Sequence, residues 1–447
     1  MSNLLKTHIT SSSFEVRKSR KEVLEAFLGT CVGVAIVDKK AGVGGLYHIL
    51  LPEHPSESVP FSAETYARTG MPLFLQALCN VGGHLGSMEA TLAGGALIGK
   101  VSRLDLHLDF GGRTVEVVHQ ELKKAGIPVG YSQTGGFFGT VMSLNLQTLK
   151  CKIESTHDGL QADADSEIKP TSEELDRAIA QIQPIPQVAL KIIRTMQSDD
   201  FHLWDVARQI RHDQVISANV LKMCNTAYVS ANVGIESIDQ ALLILGAQRV
   251  YQFVLSSVMS VFFESSSRGY SMSIGGLYHH AVSTAIVSEQ ISKLTRHAEP
   301  DIAYTAGLLH DIGKVLLDQY VASALPLFYG KVASEGEQLL NVERSLLGIT
   351  HHEAGERLAE LWAFPPSIKD VIAYHGQPEL AQHNKDLVTV VHLADLLISR
   401  FSSGYELGGI DTDLLPVRLQ QLGLDSSSLT ELIAKIPWKV LDTPGYF

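Results

Sequence analysis

The spacing of apolar residues changes character once along this chain, across a polar, acidic segment STHDGLQADADSEIKPTSEE at residues 155–174. Before it, short apolar runs alternate with glycine-rich turns. CVGVAIVD (31–38) is nearly continuous in β-branched and apolar residues, the signature of a buried strand. KKAGVGG supplies a turn and GLYHILLP (45–52) a second strand. Residues 63–82 and 115–129 carry helical spacing, the latter stopped by Gly126 and Pro128, and residues 134–153 alternate as a terminal strand pair. From Glu173 to about residue 400 the apolar residues instead recur every three or four positions, with Pro184, Pro186, Pro300, Pro326, Pro365 and Pro366 at the joints. A chain patterned this way is expected to be multidomain. An α/β unit spans residues 1–154, an acidic linker 155–172 and an all-α unit 173–405. A C-terminal extension follows at 406–447, in which SSSLTELIAKIPW reads as a capped helix.

Charge divides the same way. Residues 1–155 carry a net charge of +2 and the remainder −14, giving −12 for the 447 residues. That balance argues against nucleic acid or an anionic membrane as the main partner. No run of about 18 apolar residues is present, so no direct membrane insertion is expected. The N-terminal residues lack the apolar core of a secretion signal. Four scattered cysteines, Cys31, Cys79, Cys151 and Cys224, fit a reducing cytoplasm better than a disulfide framework.

In the first unit two residues have the chemistry of a nucleophile and its base. Cys31 follows Leu28-Gly29-Thr30 at the mouth of the first strand, and His48 lies within the next. A thiol attacks an amide carbonyl once a base takes its proton, and imidazole is suited to that near neutral pH. A simple hairpin pairing Asp38 with Gly45 would put both side chains on one face but roughly 13 Å apart, at about 3.3 Å per residue. Contact then needs another register, a bulge or non-adjacent strands. Each residue alone is equally at home in a packed core.

The segments LGTCVGVAIVD, GGLYHILLP, MEATLAGGALIG (88–99) and TGGFFGTVMSLNL occur in the order found in the CheD family of chemoreceptor glutamine deamidases. The resemblance covers residues 22–153. It implies a layered α/β sandwich in which Cys31 is the nucleophile and His48 the base, with no cofactor. The reaction implied is hydrolysis of a glutamine side-chain amide to glutamate and ammonia. The partners implied are methyl-accepting chemoreceptors and other chemotaxis proteins. The chain departs from the family at three places. Thr30 stands at the family's serine, Thr140 replaces an arginine, and Glu25 and Ala26 occupy the positions where a threonine usually orients the histidine. Glu25 is therefore a candidate for that orienting role.

In the helical unit, AGLLHDIGKVLL (306–317) sets His310 and Asp311 inside an apolar stretch, where a carboxylate is costly unless paired or bound to a cation. Further histidines occur at 279, 280, 351, 352, 375 and 392, and Asp395 lies one turn beyond His392. The order H…HD…D resembles the HD superfamily of metal-dependent phosphohydrolases. His280, His310, Asp311 and Asp395 match its ligands, and His351 and His375 stand where two-metal members carry additional histidines. IQPIPQVALKIIRTM, VISANVLKMCNTAYVS, SIDQALLILGAQRV and HHEAGERLAELWAFP resemble more closely its signalling branch, the HDOD domain. The Gly-Tyr-Pro signature of the cyclic-di-GMP phosphodiesterase branch is absent. A divalent metal (iron, manganese, magnesium or zinc) suits such nitrogen and oxygen ligands. A metal-free polar network inside a scaffold is the other reading. For the whole chain, a receptor-modifying hydrolase stands beside a non-catalytic adaptor of the same fold.

Overall fold

The computed structural model describes residues 5–54, 62–96, 109–135, 139–155, 170–181, 214–227, 235–263, 276–334, 337–401 and 414–425, with a few isolated residues besides. Most of the 155–172 linker, the IQPIPQVALKIIRTM segment and most of the C-terminal extension lie outside the described residues.

The first region is built of two sheets. Strands β1 (Leu5–His8), β3 (Glu22–Leu28), β8 (Thr140–Asn145) and β9 (Lys150–Ser155) form one, in the order β1-β3-β8-β9. The other follows the order β2-β5-β4-β6-β7. Its strands are β2 (Ser13–Lys18), β4 (Val32–Asp38), β5 (Val43–Ile49), β6 (Met88–Gly94) and β7 (Val129–Thr134). Strand alternation assigns the faces. Val32, Val34, Ile36, Tyr47 and Ile49 pack with Met71, Phe74 and Leu78 of α1 (Ala67–Asn80) and Val118 and Leu122 of α2 (Phe110–Ala125). Ala35, Val37 and Leu46, from the opposite face, pack with Leu24, Ala26, Leu28, Met142 and Leu144 of the first sheet. The result is a sheet–sheet–helix sandwich. Helix α2 begins at Asp109, whose side chain accepts from the Gly112 N–H, and stops at Gly126 in the left-handed region (φ 72°).

The hairpin of β4 and β5 has a different register from the one a long KKAGVG turn implies. Asp38 pairs with Val43, leaving a four-residue turn Lys39–Gly42. Asp38 sets it. The buried carboxylate accepts from the Lys40 and Ala41 N–H groups on one oxygen and from the His84 N–H and Ser87 Oγ on the other. Burial pushes its pKa up, but those four donors outweigh it and hold it at about 2.

The second region is helical. The segments that matter for its interior are α3 (Gly276–Thr295), α4 (Pro300–Leu309), α5 (Ile312–Ser323), α6 (Leu339–Leu347), α7 (His351–Leu361), α8 (Pro366–Tyr374), α9 (Lys385–Phe401) and α10 (Leu415–Gln421). The AGLLHDIGKVLL stretch is two helices rather than one, with His310 and Asp311 at the break between α4 and α5. Close approach of α5 to α7 accounts for the glycines there. A Cβ on Gly313 would lie 1.9 Å from the His351 carbonyl oxygen and 2.6 Å from the Gly355 nitrogen. Thr350 and Glu353 form a reciprocal capping box that starts α7 at His351.

Candidate functional sites

Two groups of side chains are capable of chemistry. In the sandwich, the observed register sets His48 opposite Gly33. Cys31 immediately precedes β4, two residues before Gly33. The two positions are thus about one diagonal step apart, about 7–8 Å between backbones, instead of roughly 13 Å. Cys31 is held by its carbonyl, which accepts from the Gly95 N–H at 2.8 Å. Gly94 permits this approach, since a Cβ there would sit 2.2 Å from the Cys31 oxygen. Cys31 is only 2% exposed and belongs, with Leu50, Leu51 and Tyr66, to the same buried apolar cluster as the helical core. Thr30, beside it, is also buried.

His48 is buried, and its Nδ1 lies 3.1 Å from the Ile9 carbonyl oxygen, which can only accept. The proton therefore sits on Nδ1, and Nε2 carries the lone pair. Ser11 Oγ lies 3.5 Å from Nε2. Burial lowers the His48 pKa to about 4, with nearby His8 pushing the same way and the Ile9 carbonyl opposing, so the ring is neutral at pH 7. Glu25 does not orient this ring. Alternation in β3 turns Leu24 and Ala26 inward and Glu25 outward, where its carboxylate takes Lys6 Nζ at 3.0 Å and Ser143 Oγ at 3.3 Å. The residues that do hold His48, Ile9 and Ser11, come from the β1–β2 connection. The sequence reading missed them, because one acts through its main chain and the other lies in an unremarkable serine run.

In the helical region the candidate ligands converge. His280 Nε2 is 3.0 Å from Asp395 Oδ1 and 3.6 Å from Asp311 Oδ2. His310 Nε2 is 3.1 Å from Asp311 Oδ2, and His351 and His375 Nε2 lie 3.5 and 3.3 Å from Asp311 Oδ1. Three of these rings are tied through Nδ1: His310 to the Gly307 carbonyl, His375 to the Val371 carbonyl, and His351 to the Glu343 carboxylate at 2.8 Å. Tyr270 Oη donates to the same carboxylate at 2.6 Å. Each arrangement directs Nε2 at the centre, as the Nδ1 hydrogen-bond partners of metal-binding histidines do.

His352, absent from the sequence-based ligand set, joins His351 and His375 with ligand atoms within 4.8 Å of one another. His280, His310 and Asp395 form a second such trio, and His310, Asp311 and His375 a third. His310 Nε2, His352 Nε2 and Asp311 Oδ1 are buried without a hydrogen-bond partner among the described residues. Such a donor set fits a divalent cation. Lys314 Nζ, 2.6 Å from Asp311 Oδ2, already compensates part of the negative charge. Burial raises the Asp311 pKa, but the His310 and Lys314 charges outweigh it and hold the carboxyl well below the usual range. His392 stands apart. Its Nε2 accepts from Arg418 at 2.6 Å and its Nδ1 donates to the His375 carbonyl, so burial and the neighbouring guanidinium lower its pKa to about 3.

Comparison with known proteins agrees with both halves. A family model for the HDOD domain matches residues 182–378, and one for CheD chemotactic sensory transduction matches residues 50–155, beginning just after His48. The chemoreceptor glutamine deamidase CheD of Halalkalibacterium halodurans is 33% identical over 135 residues, covering 30% of this chain and 83% of that protein. The crystal structure of an HDOD domain protein of unknown function from Geobacter sulfurreducens aligns with a TM-score of 0.51 at 25% identity. It covers 60% of this chain and 96% of that one. Among the described residues no helix is long and apolar enough to cross a membrane. Through its sheet-rich first region the chain belongs to the CheD family of chemoreceptor glutamine deamidases, and its helical region carries an HDOD domain.

Proposed function

We propose that the first unit, residues 1–154, hydrolyses glutamine side chains of chemoreceptors at the cytoplasmic side of the membrane, with Cys31 as nucleophile and His48 as base. The observation carrying this reading is the β4–β5 register, which sets His48 about one diagonal step from Cys31, with the Nε2 lone pair as the proton acceptor. Nε2 takes the thiol proton and sulfur bonds to the amide carbon. The tetrahedral oxyanion collapses as the imidazolium returns that proton to the departing nitrogen, releasing ammonia. Water, deprotonated by the same Nε2, then cleaves the thioester to glutamate and the free thiol. Thr30 flanks the nucleophile. Because Cys31 is covered, a receptor glutamine reaches it only when the apolar cover opens.

Mass spectrometry of receptor peptides after incubation with the protein tests this through the small mass gain from amide to acid. Cys31→Ala is expected to abolish the gain and His48→Ala to slow it about 10²–10⁴-fold. Near-normal turnover by Cys31→Ala refutes the assignment.

The helical unit, residues 173–405, reads as the regulatory partner in the same chain. Its interior supports a divalent cation held by His280, His310, Asp311 and Asp395, with His351, His352 and His375 forming the adjoining part. A bound cation would supply charge stabilisation and an acidified water. The chain's own residues already orient the ring nitrogens toward it.

A further inference from the structure

Building on the dyad reading, we propose that Ser11 is the positioning residue of the deamidase base, with its hydroxyl holding Nε2 of His48 between proton transfers and the Ile9 carbonyl holding Nδ1 throughout. The segment Ile9–Ser12 joins the two sheets and wraps the histidine. Ser11 and Ser12 are buried, and the Ser12 N–H donates to the His48 carbonyl at 2.9 Å. Ser12 adopts φ 62°, a conformation non-glycine residues hold only when their surroundings impose it. Thr10 and Ser13 pin the turn, Ser13 Oγ donating to the Thr10 carbonyl at 2.7 Å. Ser13 itself pairs with His48 across β2 and β5.

The chemistry of the two partners explains why they suit a base that cycles. Nδ1 keeps its proton in both states of the ring, and a carbonyl accepts from it in both. Nε2 alternates between lone pair and N–H. A hydroxyl is the side-chain group that can donate to the first and accept from the second by rotating one bond. A carboxylate at that place would favour only the imidazolium. Glu25 faces outward to Lys6 and Ser143, and the hydroxyl beside the ring comes from the β1–β2 connection. The titratable groups beside the ring are His8 and, by register, Cys31.

The test is the pH profile of Cys31 alkylation by iodoacetamide in the full chain, read on the Cys31 peptide by mass spectrometry. Ser11→Thr and Ser11→Val form a matched pair differing in the hydroxyl alone, so a packing effect is common to both. The expected result is a wild-type-like profile for Ser11→Thr. For Ser11→Val and Ser11→Ala, labelling at pH 7 is expected to slow about tenfold, the worth of one hydrogen bond to a charged group, with the low-pH limb shifted upward. A Ser11→Val profile matching wild type, while His48→Ala alters it, overturns the role of Ser11 and leaves the dyad standing. An unaltered profile in His48→Ala refutes the dyad and the role of Ser11 with it.

Discussion

Replacing Asp311 by asparagine removes a buried negative charge while keeping the side chain's shape. Its consequences separate a cation site from an inert polar network. In the metal-free protein the loss falls on Lys314, whose ammonium is 2.6 Å from the carboxylate with side-chain exposures of 10% and 1%. Removing one member of a buried pair costs about 3–5 kcal/mol. Lys314 can turn its tip toward water, so the lower end, about 3 kcal/mol, is expected. A cation bound only by the folded state adds about 2.7 kcal/mol at a concentration a hundred times its Kd. For a helical unit of this size each kcal/mol moves the midpoint by about 2–4 °C. Thermal melts of the full chain, followed by helical circular dichroism with chelator or with added Mn²⁺, Fe²⁺, Mg²⁺ or Zn²⁺, read both quantities. The wild type is expected to gain about 5–10 °C with its preferred ion, and Asp311→Asn to melt low and gain nothing. Equal gains in both proteins would place the ion elsewhere. No gain in either would leave the histidines as a metal-free polar network.

Other expectations follow from the same geometry. Glu25→Gln should leave the pH profile of deamidation unchanged, because that carboxylate meets Lys6 and Ser143; a displaced optimum would tie Glu25 to His48 after all. His48 titrates near 4 when folded against 6.5 as a free residue, so the unfolded chain binds more protons between those values and stability falls as pH drops through that window. Hydrogen exchange of β4–β5 amides should report about 2.5 kcal/mol lost between pH 7 and 4.5, a slope that His48→Gln flattens; an unchanged slope refutes the assigned shift. Gly94→Ala combines φ 90° with a Cβ 2.2 Å from the Cys31 oxygen, so it should cost more than about 2 kcal/mol and displace the thiol, read as altered Cys31 alkylation.

What the sequence disclosed follows the physics of each residue. The run CVGVAIVD reads as a strand because both its faces are buried, one under helices and one under a sheet. Helix α2 is legible from Gly126. Strands β1, β2, β3, β6 and β7 are less so, since their pattern becomes meaningful only once it is known which sheet covers them. The β4–β5 register is hidden in the sequence for a definable reason. KKAGVG looks like one long glycine turn, whereas Asp38, by gathering four donors, closes the turn at Gly42 and carries Val43 and Gly44 into the strand. That two-residue shift moves His48 from a position opposite Ala35 to one opposite Gly33.

The orientation of the histidines was hidden for a more general reason. His48, His310, His375 and His392 all have Nδ1 beside a main-chain carbonyl, of Ile9, Gly307, Val371 and His375 respectively. A carbonyl fixes the tautomer without requiring any particular side chain, so no residue type betrays it. His351 differs, because its partner is the Glu343 carboxylate, itself held by Tyr270. A carboxylate raises the basicity of the ring it holds, whereas a carbonyl mainly aims it. At His48 burial keeps the ring neutral, while the Ile9 carbonyl, which opposes that shift, points it. In the helical unit the same device aims Nε2 of His310 and His375 toward Asp311, and the Glu343 carboxylate aims His351 there as well. The two units therefore set their imidazoles by the same backbone chemistry.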